Sequence, residues 1–137
     1  MSPFKRKLLL AVAIGLSSLL LLAAWLLSTP MMDWYQDRID GNPESGFYRD
    51  LEMTTADACL ATWRPELAAT RYRLYYERYR TDIRRAHALL AYAQALEDAG
   101  RNADAIDIYR KYLAEYPDHD EKGEAEIGVN RINNSRR

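Results

Sequence analysis

Cysteine is nearly missing: Cys59 stands alone in 137 residues, so no internal disulfide can staple the fold. Its simplest use is as a small buried apolar residue. Histidine is almost as scarce. His87 and His119 are the only two, and no spacing joins them to Cys59 as a metal-ligand or nucleophile set. None of the six glycines falls in a loop of the kind that cradles phosphate. The acidic group Asp118, Asp120, Glu121, Glu124 and Glu126 lacks calcium-loop spacing, and acidic side chains at a helix start follow from the macrodipole. Excess charge is lacking as well, since a net charge of −1 exerts no general pull on nucleic acid. These absences argue against catalysis, against a metal or other cofactor, and against a nucleic-acid or small-molecule ligand.

What the chain does have is one long uncharged run. Positions 8–28, LLLAVAIGLSSLLLLAAWLLS, follow Lys5, Arg6 and Lys7. As a helix that run reaches roughly 31 Å, enough to cross the hydrocarbon core of a bilayer. A cleaved secretory signal also begins with cations and an apolar stretch, but its core is about 7–15 residues and ends in small residues around the cleavage point. Here the run is longer and ends Leu26, Leu27, Ser28, Thr29, Pro30. The expectation is an uncleaved signal anchor, a single transmembrane helix.

The flanks set its direction. Three cations precede the run, whereas Asp33, Asp37, Asp40 and Glu44 surround the lone Arg38 after it. Basic flanks stay cytoplasmic, so residues 1–7 are expected inside and the rest outside; in a bacterium this means an inner-membrane protein with a periplasmic C-terminal part. Trp25, Trp34 and Tyr35 fall near the outer end, where aromatic rings favour the headgroup layer. Ala11, Gly15 and Ser18 share one face of the span, and such small residues permit close packing of a second transmembrane helix.

Beyond the span, turn signals divide a polar, helix-rich remainder large enough for one small domain. Residues 29–53 read as a juxtamembrane segment: a short helix over 31–40, then a loop rich in helix breakers at 41–46. Residues 54–137 read as the helical domain. Thr54 or Thr55 is a candidate cap for a helix through Ala56, Cys59, Leu60 and Trp63. Pro65 suits the first turn of the next helix, which runs toward Arg80. Thr81 and Asp82 offer another cap, and further helices are expected over 103–116 and 121–132. No stretch alternates with period two, so the domain is expected to be all-α.

One helix carries an unusual composition. Tyr72, Tyr75, Tyr76 and Tyr79 fall at spacings of three and four, extended by Ala68 and Ile83, with Arg71, Arg78 and Arg85 along a flank. A periodic stripe of this kind packs against a neighbouring helix. Tyrosine and arginine are also enriched at interface hot spots, which makes Arg71, Tyr72, Tyr75 and Tyr79 candidate partner-binding residues. Both readings stand at the level of sequence.

Residues 86–117, AHALLAYAQALEDAGRNADAIDIYRKYLAEYP, carry the most specific pattern. Ala93 and Ala105 let two antiparallel helices approach, Tyr109 fills the groove beside them, and Gly100 permits a tight reversal. With Leu89, Tyr92 and Pro117 in their places, this segment resembles a tetratricopeptide repeat, a helix–turn–helix unit of 34 residues. A shift of the same 34 positions upstream sets Tyr75 on Tyr109 and Tyr79 on Leu113, but it also sets Arg71 on Ala105 and meets no turn glycine. One clear repeat is therefore expected, its neighbours being either degenerate helices in 63–80 or another protein. The resemblance implies a groove for a partner, with His87, Leu90, Gln94 and Glu97 as its lining.

Together these readings describe a non-catalytic, membrane-anchored interaction module in a larger cell-envelope assembly. Its partners are expected to be other protein subunits, membrane-embedded or periplasmic, with lipid around the span. Two alternatives remain open: an accessory subunit held in a membrane complex mainly by its span, and a soluble secreted adaptor released by signal cleavage.

Overall fold

The apolar run is helical throughout. In the computed structural model, which describes residues 3–135, α1 spans Pro3–Leu26. Met1 and Ser2 of the basic N-terminal segment, with Arg136 and Arg137, lie outside the described residues. The chain divides into two compact units, one ending at Asp37 and one beginning at Arg38.

In the first unit, the apolar side chains of α1 from Phe4 to Leu26 are all exposed, Leu20 and Leu21 at 70% and 72%. The stretch Phe4–Leu26, with a mean hydropathy of 2.4 over its most apolar window, is long and apolar enough to cross a membrane, a test that signal sequences also meet. After the break at Leu27 and Ser28, α2 (Thr29–Asp40) begins with Pro30 near its start, where the missing N–H is harmless. Trp25, Ser28, Pro30, Met31 and Trp34 line a shallow apolar hollow.

The second unit contains α3 (Gly46–Ala61), α4 (Pro65–Arg78), α5 (Arg85–Asp98), α6 (Asn102–Glu115) and α7 (Lys122–Ser135). Each packs on the next in sequence, α3 on α4, α4 on α5, α5 on α6 and α6 on α7. No strand occurs among the described residues, so the fold is all-α: antiparallel helical hairpins like those of tetratricopeptide repeats.

Two helix starts differ from the sequence reading. α3 begins at Gly46, because the Thr54 and Thr55 hydroxyls donate back to the carbonyls of Asp50 (2.8 Å) and Glu52 (2.9 Å) within a continuing helix rather than capping a new one. α5 begins at Arg85. Asp82 instead accepts the backbone N–H of Arg84 at 2.8 Å, which fixes the turn just ahead of the helix.

The internal repeat has a different period from the one tried on the sequence. At a shift of 37 positions, Trp63 falls on Gly100, the two left-handed residues (φ 57° and 76°). Ala68 then falls on Ala105, Tyr72 on Tyr109, Tyr75 on Tyr112 and Tyr79 on Tyr116, and all six members of the first three pairs are buried. The turns share their hydrogen bonds. Arg64 and Arg101 donate to Cys59 O and Leu96 O at 2.9 and 2.8 Å, and Trp63 and Gly100 donate to Leu60 O and Glu97 O at 3.1 and 2.9 Å. This is the Schellman arrangement, which satisfies carbonyls left over at a helix end. The hairpin α3–α4 is thus an earlier copy of α5–α6, and α7 stands in register with α5.

Side-chain packing follows that register. Tyr72, Tyr75 and Tyr76 on α4 and Tyr109 and Tyr112 on α6 are buried, as are Leu89, Leu90 and Leu96 on α5. At Gly128 the α7 backbone lies against the Tyr109 ring, leaving no room for a Cβ.

Candidate interaction surface

The four groove residues expected from the sequence all lie on α5; two of them meet α7 and a third meets Glu121, the residue just before it. His87 Nδ1 lies 2.8 Å from Glu121 Oε1, and Gln94 Nε2 donates to Glu124 Oε2 at 3.2 Å. Glu97 accepts from Arg131 Nε and Nη2 at 2.5 and 2.8 Å. Leu90 differs: it is 1% exposed and belongs to the core. Spacings of seven and three along α5 put His87, Gln94 and Glu97 on one stripe, so the α5–α7 contact forms a polar ribbon. Side-chain exposure is 50% at His87 and 56% at Arg131, which leaves part of the ribbon open to another molecule.

Its electrostatics are anchored at Glu97. The Arg131 guanidinium holds the Glu97 carboxyl below the usual carboxylate range, outweighing burial and helped by the Tyr109 hydroxyl, which donates to Glu97 Oε2 at 2.9 Å. Burial and that same carboxylate raise the Tyr109 phenol, so it remains a donor. At the other end of the ribbon, burial together with the Glu121 charge pushes the Tyr112 phenol up to about 12. Tyr112 therefore donates its proton to His119 Nδ1 at 2.8 Å, and the backbone N–H of Glu121 reaches the same nitrogen at 3.3 Å. A nitrogen receiving two donors carries no proton. The approach of Glu121 Oε2 to His119 Nδ1 at 3.8 Å is accordingly not a bond, and the hydrogen-bonding arrangement places the His119 proton on Nε2.

The arginine–tyrosine set lies elsewhere. Arg71 and Tyr72 are each 2% exposed, Tyr75 is fully buried, and Tyr79 is half-buried. Tyr72 donates to Asp57 Oδ1 at 2.6 Å on α3, and the Tyr75 and Tyr79 rings pack 4.7 Å apart. Tyr76 donates to both oxygens of Glu115, with the Arg85 guanidinium 4.0 Å from its ring centroid. Burial raises the pKa of the Cys59 thiol more than the nearby Arg71 and Arg64 charges lower it. That thiol stays protonated and buried. These residues join α3, α4 and α6 rather than lining an open surface.

Two groups escaped the sequence reading. Glu121, just ahead of α7, and Glu124 and Arg131 on it supply the far side of the ribbon, and nothing local distinguishes them from solvated charges. Glu52 is fully buried and takes 3.0 Å bonds from Arg78 Nη1 to each of its oxygens, while Arg78 Nη2 reaches Asp40 at 2.5 Å. Glu52 occupies the position equivalent to Leu89, so only the correct repeat register exposes it as a charge in a core site. Among the described residues, no three of His, Cys, Asp and Glu are grouped to hold a metal ion.

The tetratricopeptide repeat family model matches residues 86–121, the stretch from the start of α5 through the α6–α7 loop. No curated protein matches the chain. A tetratricopeptide-like hairpin of this kind suggests a module for protein–protein interaction and supports proteins as its partners.

Proposed function

We propose that the chain is a single-pass membrane protein that presents its helical array to another subunit of a cell-envelope assembly. Its N-terminus lies in the cytoplasm and its array in the periplasm. The observation carrying the docking half is the ribbon formed by His87, Gln94 and Glu97 with Glu121, Glu124 and Arg131, a surface of partly exposed polar groups held in position by their mutual hydrogen bonds. Ordered polar groups cost a partner little reorganisation. For the anchoring half, the support is the mostly apolar helical stretch Phe4–Leu26, exposed throughout, since such a stretch is stable only under lipid or another apolar cover.

Native mass spectrometry of the full chain, extracted from its own membranes in mild detergent, tests both halves. A full-length chain at fixed stoichiometry with a second protein is expected. Replacing His87 and Gln94 by Ala should release that partner, whereas replacing the span by an unrelated one should not. A mature chain lacking about its first 30 residues would sink the anchor and leave the soluble adaptor.

The accessory-subunit reading has one observation in its favour: a Cβ at Gly15 meets nothing within 4 Å, so the face bearing Ala11, Gly15 and Ser18 is open to a second span. Gly15→Leu should then disperse the complex with the array intact. Unchanged assembly removes this reading.

A further inference from the structure

Trp63 occupies a backbone position suited to glycine. Its φ is 57°, a left-handed conformation that hinders any side chain with a Cβ, and its counterpart one repeat later is Gly100. Both residues end a helix with the same pair of hydrogen bonds, so the turn itself gains nothing from an indole. Nor does packing, because Trp63 is 92% exposed. A bulky residue kept in a strained conformation and left in solvent points to a role outside the fold.

Its surroundings suggest what the ring meets. Beside it lies a cavity of about 300 Å³ lined by Leu60, Ala61, Pro65 and Asp98 as well as Trp63. The walls are mostly apolar, and Asp98 is the one charged group among them, exposed and with no side-chain ion pair or hydrogen bond among the described residues. Helices α3 and α5 end here, at Ala61 and Asp98, while α4 starts at Pro65. Two carbonyl ends and a carboxylate face one amino end, which favours a cation. The cations next in sequence to the two turns are engaged in other contacts: Arg64 Nε donates to Thr62 Oγ1 at 3.0 Å, and Arg101 pairs with Asp104 at 2.7 Å. In the arginine-lined cleft at the opposite end of α4, Arg49 pairs with Asp82 and Arg78 with Glu52 and Asp40.

We propose that the pocket at the α3–α4 turn receives a lysine or arginine side chain of a partner protein. The cation sits between the Trp63 ring and the Asp98 carboxylate, and its methylene stem lies against Leu60, Ala61 and Pro65. Indole is the strongest aromatic platform for a cation, and a long basic side chain buries its stem while its head stays polar. This site shares no residue with the α5–α7 ribbon, so it stands whether or not that ribbon docks a partner.

The test uses the full chain in lipid nanodiscs, with the Trp63 indole N–H signal followed by NMR and assigned by its loss in Trp63→Gly. The probes are acetyl-Ala-Leu-Lys-Leu-Ala-amide and the same peptide with Glu for Lys. A saturable shift with the lysine peptide is expected, with none from the glutamate peptide and about fivefold weaker binding in Asp98→Asn. Absence of a shift, equal shifts with both peptides, or unchanged affinity in Asp98→Asn each overturn the proposal. So does a Trp63 signal broadened by anionic lipid before any peptide is added, which assigns the ring to headgroups instead.

Discussion

Gly128→Ala adds one methyl group, and the structure gives its cost a definite sign. A Cβ at Gly128 would lie 2.5, 2.7 and 2.9 Å from Cζ, Cε2 and Cε1 of Tyr109, where carbon pairs rest at about 3.5–4.0 Å. The ring cannot easily yield. It is fully buried, and its hydroxyl is fixed on Glu97, which Arg131 holds in turn. Either α7 lifts from α6 or the tyrosine gives up its hydrogen bond. Overpacking of this kind costs about 1–3 kcal/mol, and a lost hydrogen bond adds about 1 kcal/mol. Alanine recovers about 1 kcal/mol of helix propensity, so the net destabilisation is about 2 kcal/mol. For a domain of this size that lowers Tm by roughly 10 °C, read by circular dichroism of the full chain in detergent. Gly123→Ala is the control. It lies in the same helix with nothing within 4 Å of the new Cβ, and should be neutral or stabilising by about 0.5 kcal/mol. In a Tyr109→Leu background the penalty at Gly128 should largely vanish. A Gly128→Ala protein as stable as the parent would refute the seating of α7 on Tyr109.

The two left-handed turns should respond in opposite directions. Gly100→Ala is expected to cost about 1 kcal/mol, whereas Trp63→Gly relieves about 1–2 kcal/mol of backbone strain against about 0.5–1 kcal/mol of added chain entropy, raising Tm slightly in the same melt. A lower Tm for Trp63→Gly would mean that the ring stabilises the fold after all. Glu97 sets an acid response: because its folded pKa is depressed, the stability it contributes is complete above the unfolded carboxyl value and is lost as pH falls through the folded one. Glu97→Gln should therefore flatten the decline of urea stability below about pH 5, and parallel curves for the two proteins would contradict this.

Local pattern carried a good part of the fold into the sequence. Gly100 between two apolar-periodic segments, and the small Ala93 and Ala105, identify the α5–α6 hairpin because each acts through its own backbone or its own contact. The α3–α4 hairpin was harder to read for two physical reasons. Its turn residue is Trp63, and rules of conformational preference look for glycine there, so the strongest local marker was missing. Its spacing to the next hairpin is 37 positions, which a 34-residue template converts from Tyr72 over Tyr109 into Arg71 over Ala105. Glu52 was invisible for the same reason. Of the ribbon, the α5 half follows from helical periodicity, but the α7 half depends on partners 30 and 34 positions away, which no local pattern encodes. The tyrosines of α4 could be placed on one stripe from spacing alone, yet only the neighbouring helices decide that the stripe is buried.

The repeat register also explains where this array can accept another molecule. Helix α5 packs between α4 and α6, and it is buried on two sides. Ala88, Ala91 and Ala95 on one of them correspond to Ala125, Gly128 and Ile132 of α7, which remain buried. Leu89, Leu90, Ala93 and Leu96 on the other correspond to Glu126, Ile127, Asn130 and Asn133, all of which are exposed on α7. A further hairpin stacked there would have to bury one carboxylate and two amides, at a cost of about 1–3 kcal/mol for each group left without a hydrogen bond, against the burial of a single isoleucine worth about 1.5–3 kcal/mol. The outer face of α7 is thus not built for another repeat. The surfaces that stacking leaves open are the ribbon on α5 and the turn edge at Trp63, and the docking proposed above uses these, so that a partner need not desolvate α7's outer side.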